Sequence, residues 1–248
     1  MKEVMFSIIT VTYNSEKTIR DTIESVLRQT YKNYEYIIVD GNSKDKTMEI
    51  VKEYEARFEG KLKYISEPDK GIYDAMNKGI RMAQGDLIGI INSDDWYEEN
   101  TLENIVMART SEDLAVYYGY MRTVDSSNGK EIRCAIYNHE YIRDAMINHP
   151  TVFVSKKIYE KYGMFDCQYR FSADYDFIIR LVLQKDIKFV AIDKVQANFR
   201  TGGASGEVDA LCETMKIKKR YGYMTLFQYI ASVIYLKARK VFGYYTNN

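Results

Sequence analysis

Two adjacent carboxylates, Asp94 and Asp95, stand out as groups that could do chemistry, since they follow an apolar run that ends at Ile91. Neighbouring carboxylates repel each other, so the pair is unfavourable unless a cation or a hydroxyl-rich ligand uses it. A hard divalent ion that also binds phosphate oxygens suits such a site. The same residues are equally compatible with a turn that caps a helix near Glu99.

A second pair of acids, Asp174 and Asp176, lies in a segment predicted as a helix that reaches Leu183. Residues two apart on a helix point in different directions, so only one of these carboxylates can face a ligand. Asp174 is the candidate for that role, and an N-terminal helix cap is its alternative. Asp176 is placed to pair with Arg180, four residues further on.

The elements that must position these residues alternate between strand and helix over residues 1–95. Predicted strands cover 4–12, 36–40, 62–65 and 86–91, and predicted helices cover 16–29, 43–57 and 71–83. Such alternation predicts an α/β fold with a largely parallel sheet and helices on both faces. Ligands of open α/β sheets bind beyond the carboxyl ends of the strands. Three polar clusters fall at such ends, at 12–14, 40–43 and 92–95.

The remainder of the chain is less regular. Strands are predicted at 115–121, 131–136 and 187–192, and helices at 155–162, 174–183, 207–221 and 225–242. His149 enters another strand-like run, where it could touch a ligand or be a structural histidine. Arg200 opens a glycine-rich loop, 200–205, that could contact a diphosphate or be a plain loop. Trp96 and Tyr97 could stack on a sugar ring or belong to the core.

Composition narrows the class of protein. The 248 residues carry 35 Lys and Arg against 35 Asp and Glu, which argues against nucleic acid as a partner. The three cysteines, Cys134, Cys167 and Cys212, fit neither a disulfide framework nor a zinc site and favour a reducing compartment. We find no signal-peptide pattern and no run of about 20 apolar residues, so we expect a cytoplasmic protein. The glycine motifs of dinucleotide oxidoreductases, P-loop enzymes and serine hydrolases are missing.

Five segments, in order along the chain, resemble the family 2 glycosyltransferases with the GT-A fold, and they extend from residue 6 to about 205. Residues 7–14 resemble the first strand and turn, 37–47 the nucleotide-binding segment, and 66–79 a second segment on the nucleotide side. Residues 92–95 stand in place of the Asp-x-Asp motif, and 172–176 match the segment that supplies the catalytic base. Ala173 stands where that last motif often has an acid.

The resemblance implies a Rossmann-like nucleotide-sugar half, 1–95, an acceptor half, 96–213, and C-terminal helices. It implies that Asp40 binds the base, that Asp94 holds the ribose, and that Asp95 coordinates Mn²⁺ or Mg²⁺ with the diphosphate. Thr10, Tyr13 and Asn14 would line the base and ribose, and Lys70 would meet phosphate or base. Asp174 would be the general base of an inverting transfer that forms one new bond and breaks one.

Residues 214–248 form a basic, aromatic tail with seven cationic residues and no acidic one, which leaves an excess of seven acids in residues 1–213. The predicted last helix has a wide apolar face. Basic and aromatic character together suit an anionic membrane surface. Packing on its own domain or on a second subunit, and hence a homo-oligomer, are the alternatives.

The sequence therefore predicts an inverting, metal-dependent glycosyltransferase of bacterial surface-polysaccharide synthesis, on the inner face of the cell membrane. The donor would be a nucleotide sugar, most simply a UDP-sugar that supplies a hexose, and the acceptor a glycan or lipid-linked molecule. A sugar nucleotidyltransferase is disfavoured, because such enzymes usually have a glycine-rich, basic turn where this chain has residues 12–14. A non-catalytic sugar- or partner-binding module is the third alternative.

Overall fold

The computed structural model describes residues 3–202 and 208–241, with side chains up to residue 238. Its strands are β1 (Phe6–Thr12), β2 (Tyr34–Asp40), β3 (Leu62–Ser66), β4 (Leu87–Ile90), β5 (Trp96–Tyr97), β6 (Ala115–Val124), β7 (Glu131–Ala135), β8 (Phe153–Ser155) and β9 (Lys188–Arg200). Its helices are α1 (Ile19–Leu27), α2 (Thr47–Glu53), α3 (Ile72–Met82), α4 (Thr101–Ala108), α5 (Lys156–Tyr162), α6 (Ala173–Val182), α7 (Val208–Arg220) and α8 (Leu226–Val241). Three short 3-10 turns cover Glu55–Phe58, His139–Tyr141 and His149–Thr151.

The strands form one sheet in the order β3-β2-β1-β4-β8-β6-β9-β5, with β7 paired to β6. The four strands of the first half run parallel, as predicted from the alternation of strand and helix. In register, Thr12 pairs with Asp40, so the polar ends of β1 and β2 lie side by side. The second half adds antiparallel pairings of β8 and β7 and a long parallel pairing of β6 with β9.

Helices cover both faces of the sheet. Successive apolar side chains of each strand point to opposite faces, and they pack into two separate core layers. Ile9 and Val11 of β1 face the layer under α3 and α6, whereas Phe6 and Ile8 face the layer under α1, α2 and α4. Each such side chain is buried, which stabilises the fold by about 1.5–3 kcal/mol per residue. A sheet buried on both faces presents its ligand-binding groups at the carboxyl ends of the strands.

Close packing of α3 on the sheet depends on Gly79. A Cβ at this position would lie 2.5 Å from Cγ2 of Ile9, so any larger residue pushes the helix away from β1. The first turn of α3 carries Tyr73, whose hydroxyl reaches the candidate catalytic carboxylate. The glycine therefore sets the distance between α3, the sheet and one side of the site.

Several element boundaries differ from those predicted. The helix predicted at 43–57 is shorter, since Asp45 accepts hydrogen bonds from the Thr47 N–H (3.0 Å) and the Glu16 N–H (3.0 Å) and holds the preceding residues in a loop. The strand predicted at 187–192 continues to Arg200 because it pairs along most of β6. Residues 203–207, with part of the glycine-rich loop, and 242–248 lie outside the described residues.

The predicted division between body and tail at residue 213 falls inside α7. This helix packs on the body, where Ile217 is fully buried in the core layer that also contains α6. The break in the described helices comes later, around Gly222, between α7 and α8. Among the described helices, none is long and apolar enough to cross a membrane.

Candidate active site

Asp40 is held rigidly at the end of β2. Its side chain is fully buried, and it accepts hydrogen bonds from the backbone N–H and the hydroxyl of Ser43 and from the hydroxyl of Ser66 (2.5 Å). These donors come from the loop after β2 and from the end of β3. The carboxylate is therefore fixed at the carboxyl end of β2 by the loop around it, with no exposed surface of its own.

The loop after β1 is tied to the loop after β2 through Asn14. Its amide oxygen accepts a hydrogen bond from the Lys44 N–H (2.8 Å), and its own N–H donates to the Ser43 hydroxyl (2.8 Å). Asn14 has a φ of 50°, in the left-handed region that asparagine tolerates better than most residues. Asn14 thus fixes the shape of this edge with its own side chain.

Gly41 packs closely against Asp69 and the ring of Tyr13, so that no larger residue fits at this position. A Cβ on this glycine would lie 2.6 Å from a carboxylate oxygen of Asp69 and 3.4 Å from the ring of Tyr13. Tyr13 is 62% exposed, so its ring is available to a ligand. An exposed aromatic ring beside an acid fits a planar, hydrogen-bonding group such as a nucleotide base. The sequence analysis did not select Asp69, although the residue lies in one of its quoted segments.

Thr10 and Lys70 have surroundings that differ from those expected of nucleotide contacts. Thr10 is fully buried, and its hydroxyl accepts a hydrogen bond from the hydroxyl of Tyr36 (3.0 Å). The structure therefore does not place the Thr10 side chain on the surface of the crevice, because β1 turns it into the core layer with Tyr36. Lys70 is exposed before α3, where its backbone N–H donates to Asp74 (3.0 Å).

The acid pair lies beyond β4, and its two members have different surroundings. Asp95 is fully buried, and its Oδ1 accepts a hydrogen bond from the Arg200 N–H (3.0 Å). Within residues 3–202 and 208–241, its Oδ2 is buried and accepts no hydrogen bond of good geometry, although the nearby Asn92 side chain favours the charged form and acts against the rise in the pKa of Asp95. Burial and the charge of Asp94 raise the pKa of Asp95 well above its usual range, and burial also raises the pKa of the half-buried Asp94.

This arrangement fits a divalent cation. Asp95 Oδ2 is a buried oxygen without a partner, and a hard cation would remove the cost of leaving it so. The described part of the chain has no group of three or more His, Cys, Asp or Glu side chains that could form a complete cage. Mg²⁺ is commonly bound through one or two carboxylates together with substrate phosphates and waters. The protein side of the site meets that requirement.

Arg200 brings a positive charge to the acid pair. Its guanidinium lies 2.7 Å from the carboxylate of Asp21 in the first turn of α1, and 5.1 Å from the ring centre of Trp96. Trp96 and Arg200 also line an open cavity of about 410 Å³ with Arg122 and Asn198. Tyr97, in contrast, is buried in the core, so only one of the two aromatic residues is accessible to a ligand.

On the facing half of the molecule, Asp174 lies in the first turn of α6 and is partly exposed. Its Oδ1 accepts hydrogen bonds from the Tyr73 hydroxyl (2.8 Å) and the Tyr175 N–H (2.9 Å). His149 and Asp174 line the same small cavity as Ile90, the last residue of β4. Burial lowers the pKa of His149, opposed by the charge of Asp174, so the imidazole is neutral at pH 7.

Asp176 has the structural role that its spacing predicted. It is buried, its carboxylate pairs with Arg180 at 3.0 Å, and it accepts a hydrogen bond from the Tyr221 hydroxyl (2.9 Å). Because Asp176 points into the protein, Asp174 is the acid of this pair that faces the crevice.

A residue that the sequence analysis missed fixes the segment before Asp174. Glu213 of α7 accepts hydrogen bonds from three successive backbone N–H groups, those of Arg170 (2.9 Å), Phe171 (2.6 Å) and Ser172 (2.8 Å). The carbonyl of Phe171 in turn accepts a hydrogen bond from the Tyr73 hydroxyl (2.9 Å). No pattern in the sequence signals this contact, because Glu213 is one of 35 acidic residues in the chain and lies more than 40 positions from the segment that it holds.

The parallel half-sheet, the acid pair at its carboxyl edge and the carboxylate on the facing half are the features of a glycosyltransferase with the GT-A fold. The family model for glycosyl transferase family 2 matches residues 7–174, and the chain belongs to that family.

Curated relatives agree with this assignment. An uncharacterized glycosyltransferase of Methanocaldococcus jannaschii is 28% identical over 236 residues, which cover 91% of this chain and 79% of the relative. A PGL/p-HBAD biosynthesis glycosyltransferase of Mycobacterium bovis is 30% identical over 184 residues, which cover 73% of this chain and 70% of the relative.

Solved structures confirm the fold. TarS 1–349 of S. aureus in complex with UDP-GlcNAc superposes with a TM-score of 0.71 at 19% identity, covering 94% of this chain and 72% of that one. The mannosyltransferase PcManGT of Pyrobaculum calidifontis, in complex with GDP-Man and Mn²⁺, gives a TM-score of 0.66 at 15% identity and covers 94% and 69%. This chain covers only 38% of a longer TarS chain.

Proposed function

We propose that this glycosyltransferase is an inverting, metal-dependent enzyme that moves a sugar from a nucleotide sugar to a hydroxyl group of a glycan or lipid-linked acceptor. The observation that carries the proposal is the buried oxygen of Asp95 that lacks a partner, next to Asp94 at the carboxyl end of β4. A site of this kind suits the diphosphate of a nucleotide sugar better than an uncharged sugar alone.

The donor in this proposal is a UDP-sugar whose base stacks on the exposed ring of Tyr13, near Asp69, with Asp40 as the base-binding acid that the family resemblance implies. Support comes from the exposure of the Tyr13 ring and from the TarS structure, which contains UDP-GlcNAc. The PcManGT structure contains GDP-Man, so a GDP-sugar is the alternative donor to test against a UDP-sugar. We assign Thr10 a supporting role beneath the site, through Tyr36.

Asp95 would hold Mn²⁺ or Mg²⁺ through the oxygen without a partner, with Asp94 close to the ribose. The chemistry that such an ion supplies is neutralisation of the charge that grows on the departing nucleoside diphosphate. The Arg200 N–H keeps Asp95 in place, and its guanidinium is near enough to the pair to contact the diphosphate. Lys70 is a second exposed cation on the same edge.

Asp174 acts as the general base in this mechanism. It takes the proton from the acceptor hydroxyl while that oxygen attacks the anomeric carbon on the face opposite the diphosphate. One carbon–oxygen bond forms, the bond to the diphosphate breaks, and the configuration inverts. Tyr73 orients the carboxylate, and the neutral His149 can exchange hydrogen bonds with hydroxyl groups of the donor sugar or the acceptor.

We place the reaction in the assembly of a bacterial surface glycan or glycolipid. The relative from Mycobacterium bovis is named for PGL/p-HBAD biosynthesis, and this supports the proposed setting.

The proposal is tested by incubating the protein with UDP-, GDP- and CDP-sugars, Mn²⁺ and simple sugar acceptors. The expected result is release of a nucleoside diphosphate from one class of donor, together with a product whose anomeric configuration, read by NMR, is opposite to that of the donor. A product with retained configuration contradicts the single-displacement mechanism. Release of pyrophosphate from a sugar phosphate and a nucleoside triphosphate would instead identify a nucleotidyltransferase.

A further inference from the structure

Helix α8 presents apolar side chains to solvent over most of its length. Leu226, Phe227, Ile230 and Ile234 are 57%, 81%, 46% and 63% exposed. Their spacing of three and four residues places them on one side of the helix. A contiguous apolar surface of this kind marks an interaction site more often than the scattered exposed residues found elsewhere on a protein.

The helix is held by its other side and by its first turn. Leu236 is buried, and α8 packs against α7, where the Lys219 ammonium lies 5.5 Å from the ring centre of Tyr229. Thr225 and Gln228 form a reciprocal capping pair: the Gln228 N–H donates to the Thr225 hydroxyl, and the Thr225 N–H donates to the Gln228 side chain. The exposed face is thus a feature of a properly capped, docked helix.

The charge of this region is one-sided. From residue 214 to the end, the chain has seven cationic residues and no acidic residue. Lys216 and Lys219 of α7 and Lys237 of α8 are exposed. Exposed cations near an anionic lipid surface are attracted to it. Lys237 follows Ile234 by three residues and Ile230 by seven, so it lies on the same side of α8 as the apolar side chains. Arg220 of α7, in contrast, is paired with Asp166 and Asp176 of the body.

We propose that α8 lies in the headgroup region of an anionic lipid bilayer, with the face of Leu226, Phe227, Ile230 and Ile234 in the acyl boundary. Amphipathic helices with basic and aromatic residues bind membranes in this way. A second copy of the chain is a poorer occupant, because a symmetric contact through α8 would bring two sets of tail cations together without any tail acid to pair with them.

This surface gives a reason for a lipid-linked acceptor, and that part of the inference rests on the proposed glycosyl transfer. A protein held on the bilayer would meet an acceptor anchored in the same plane at a high local concentration. Membrane binding itself needs no donor or acceptor, so the two can be measured separately.

The test is flotation of the full chain with vesicles of phosphatidylcholine alone or mixed with phosphatidylglycerol. We expect wild-type protein to float with the phosphatidylglycerol vesicles and to be released in part by salt, because surface attraction between charges is screened. Phe227→Glu and Ile234→Glu should each lower the partition coefficient by about tenfold or more, since each replaces an exposed apolar side chain, which the bilayer would bury, with a charged one.

Gln228→Glu is the matched control. It introduces the same residue next to Phe227 but preserves the capping pair, because glutamate also serves at this position. It should change vesicle binding far less than Phe227→Glu does. UDP binding, measured without vesicles, shows that every variant is folded and reports separately on the proposed donor site.

The inference is overturned if wild-type protein does not float with anionic vesicles, or if Phe227→Glu and Gln228→Glu float equally well. A concentration-dependent dimer that Phe227→Glu dissociates, in a protein that does not bind vesicles, would assign the surface to a second copy instead.

Discussion

Asp174 carries the proton transfer in the proposed reaction, and it is the residue whose replacement separates chemistry from binding. Asp174→Asn keeps an oxygen for the Tyr73 hydroxyl and the Tyr175 N–H but removes the base. We expect kcat to fall by about 10²–10⁴-fold, the usual contribution of a general base. UDP affinity should remain within a few-fold of wild type, since Tyr13 and Asp69, the proposed contacts of the base, lie on the other half of the sheet.

The control for this prediction is Asp193→Asn, the same chemical change at an exposed acid of β9. Steady-state kinetics on both variants, with nucleotide binding measured by calorimetry, distinguish the two positions. Full activity of Asp174→Asn would contradict the assignment of the base.

The acids of the site could be predicted from sequence, because each follows a strand or opens a helix. Asp40, Asp95 and Asp174 lie where periodicity and spacing place them. Thr10 could not be assigned correctly in this way, because an alternating strand gives no sign of which face meets the ligand. Asp69 contributes through its position across Gly41, a contact between distant residues that no local pattern reveals.

At the scale of elements, α7 fixes the segment that presents Asp174. Glu213→Ala leaves the N–H groups of Arg170, Phe171 and Ser172 without their acceptor. Loss of such contacts costs about 1–3 kcal/mol of stability when a partly buried donor is left unsatisfied. We expect a lower Tm and a lower kcat. The KM for the donor should be unchanged, because Tyr13 and Asp69, the proposed contacts of the base, lie in the first half of the chain.

Glu213→Gln offers a graded comparison, since it keeps an acceptor oxygen but loses the charge and the second oxygen. Its Tm and kcat should lie between those of wild type and Glu213→Ala. If Glu213→Ala has a lower Tm but an unchanged kcat, α7 contributes to stability alone and does not position Asp174.

Elements with strong local patterns were the ones the sequence predicted best. The apolar runs of β1, β2 and β4 and the helical spacing of α1 and α3 are confirmed to within a few residues. The three-residue strand β8 and the two-residue strand β5 depend on pairing with β4, β6 and β9, which their own sequences do not encode. The late start of the helix predicted at 43–57, which begins at Thr47, depends on a long-range hydrogen bond from the Glu16 N–H to Asp45.

At the scale of the whole molecule, a buried carboxylate joins the strands of the first half. Glu35 of β2 accepts hydrogen bonds from the hydroxyl of Ser7 (2.6 Å) and the Gln84 N–H (2.6 Å), and it pairs with Lys63 at 2.7 Å. Burial acts to raise the pKa of Glu35, but these partners outweigh it and hold the pKa below its usual range.

The sign of the resulting pH dependence follows from linkage. Above the ordinary glutamate pKa of 4.5, Glu35 is ionised in the folded and unfolded states, and its full contribution to stability is present. As the pH falls below that value, the unfolded chain binds the proton first, and the contribution is lost toward the lower folded pKa. Urea unfolding at pH 7 and pH 4 should therefore show a smaller loss of stability for Glu35→Gln than for wild type.

An equal loss of stability in both proteins would show that Glu35 is not responsible for the acid sensitivity. Lys63→Met gives a second comparison, because it removes the cation and leaves the two other donors. Its stability should fall between pH 7 and pH 4 by less than that of wild type.

The alternation of strands and helices predicts the parallel half of the sheet, and the fold class could therefore be predicted from the sequence. The mixed second half was not, because β6, β8 and β9 pair across long stretches of chain. The tail was predicted from its basic and aromatic character and from the apolar face of its last helix, with packing on its own domain as an alternative. Ile217 and Glu213 join α7 to the body, and α8 keeps an exposed apolar face.

In the proposed reaction, Asp95 holds the metal ion of the donor site at the carboxyl edge of the sheet. The most direct test is calorimetric titration of the full chain with UDP, with and without Mn²⁺, on wild type, Asp95→Asn and the control Asp193→Asn. We predict that Mn²⁺ strengthens UDP binding to wild type and Asp193→Asn, and that Asp95→Asn loses this effect while the Arg200 N–H keeps an acceptor. UDP binding that is independent of Mn²⁺ in all three proteins would contradict the account.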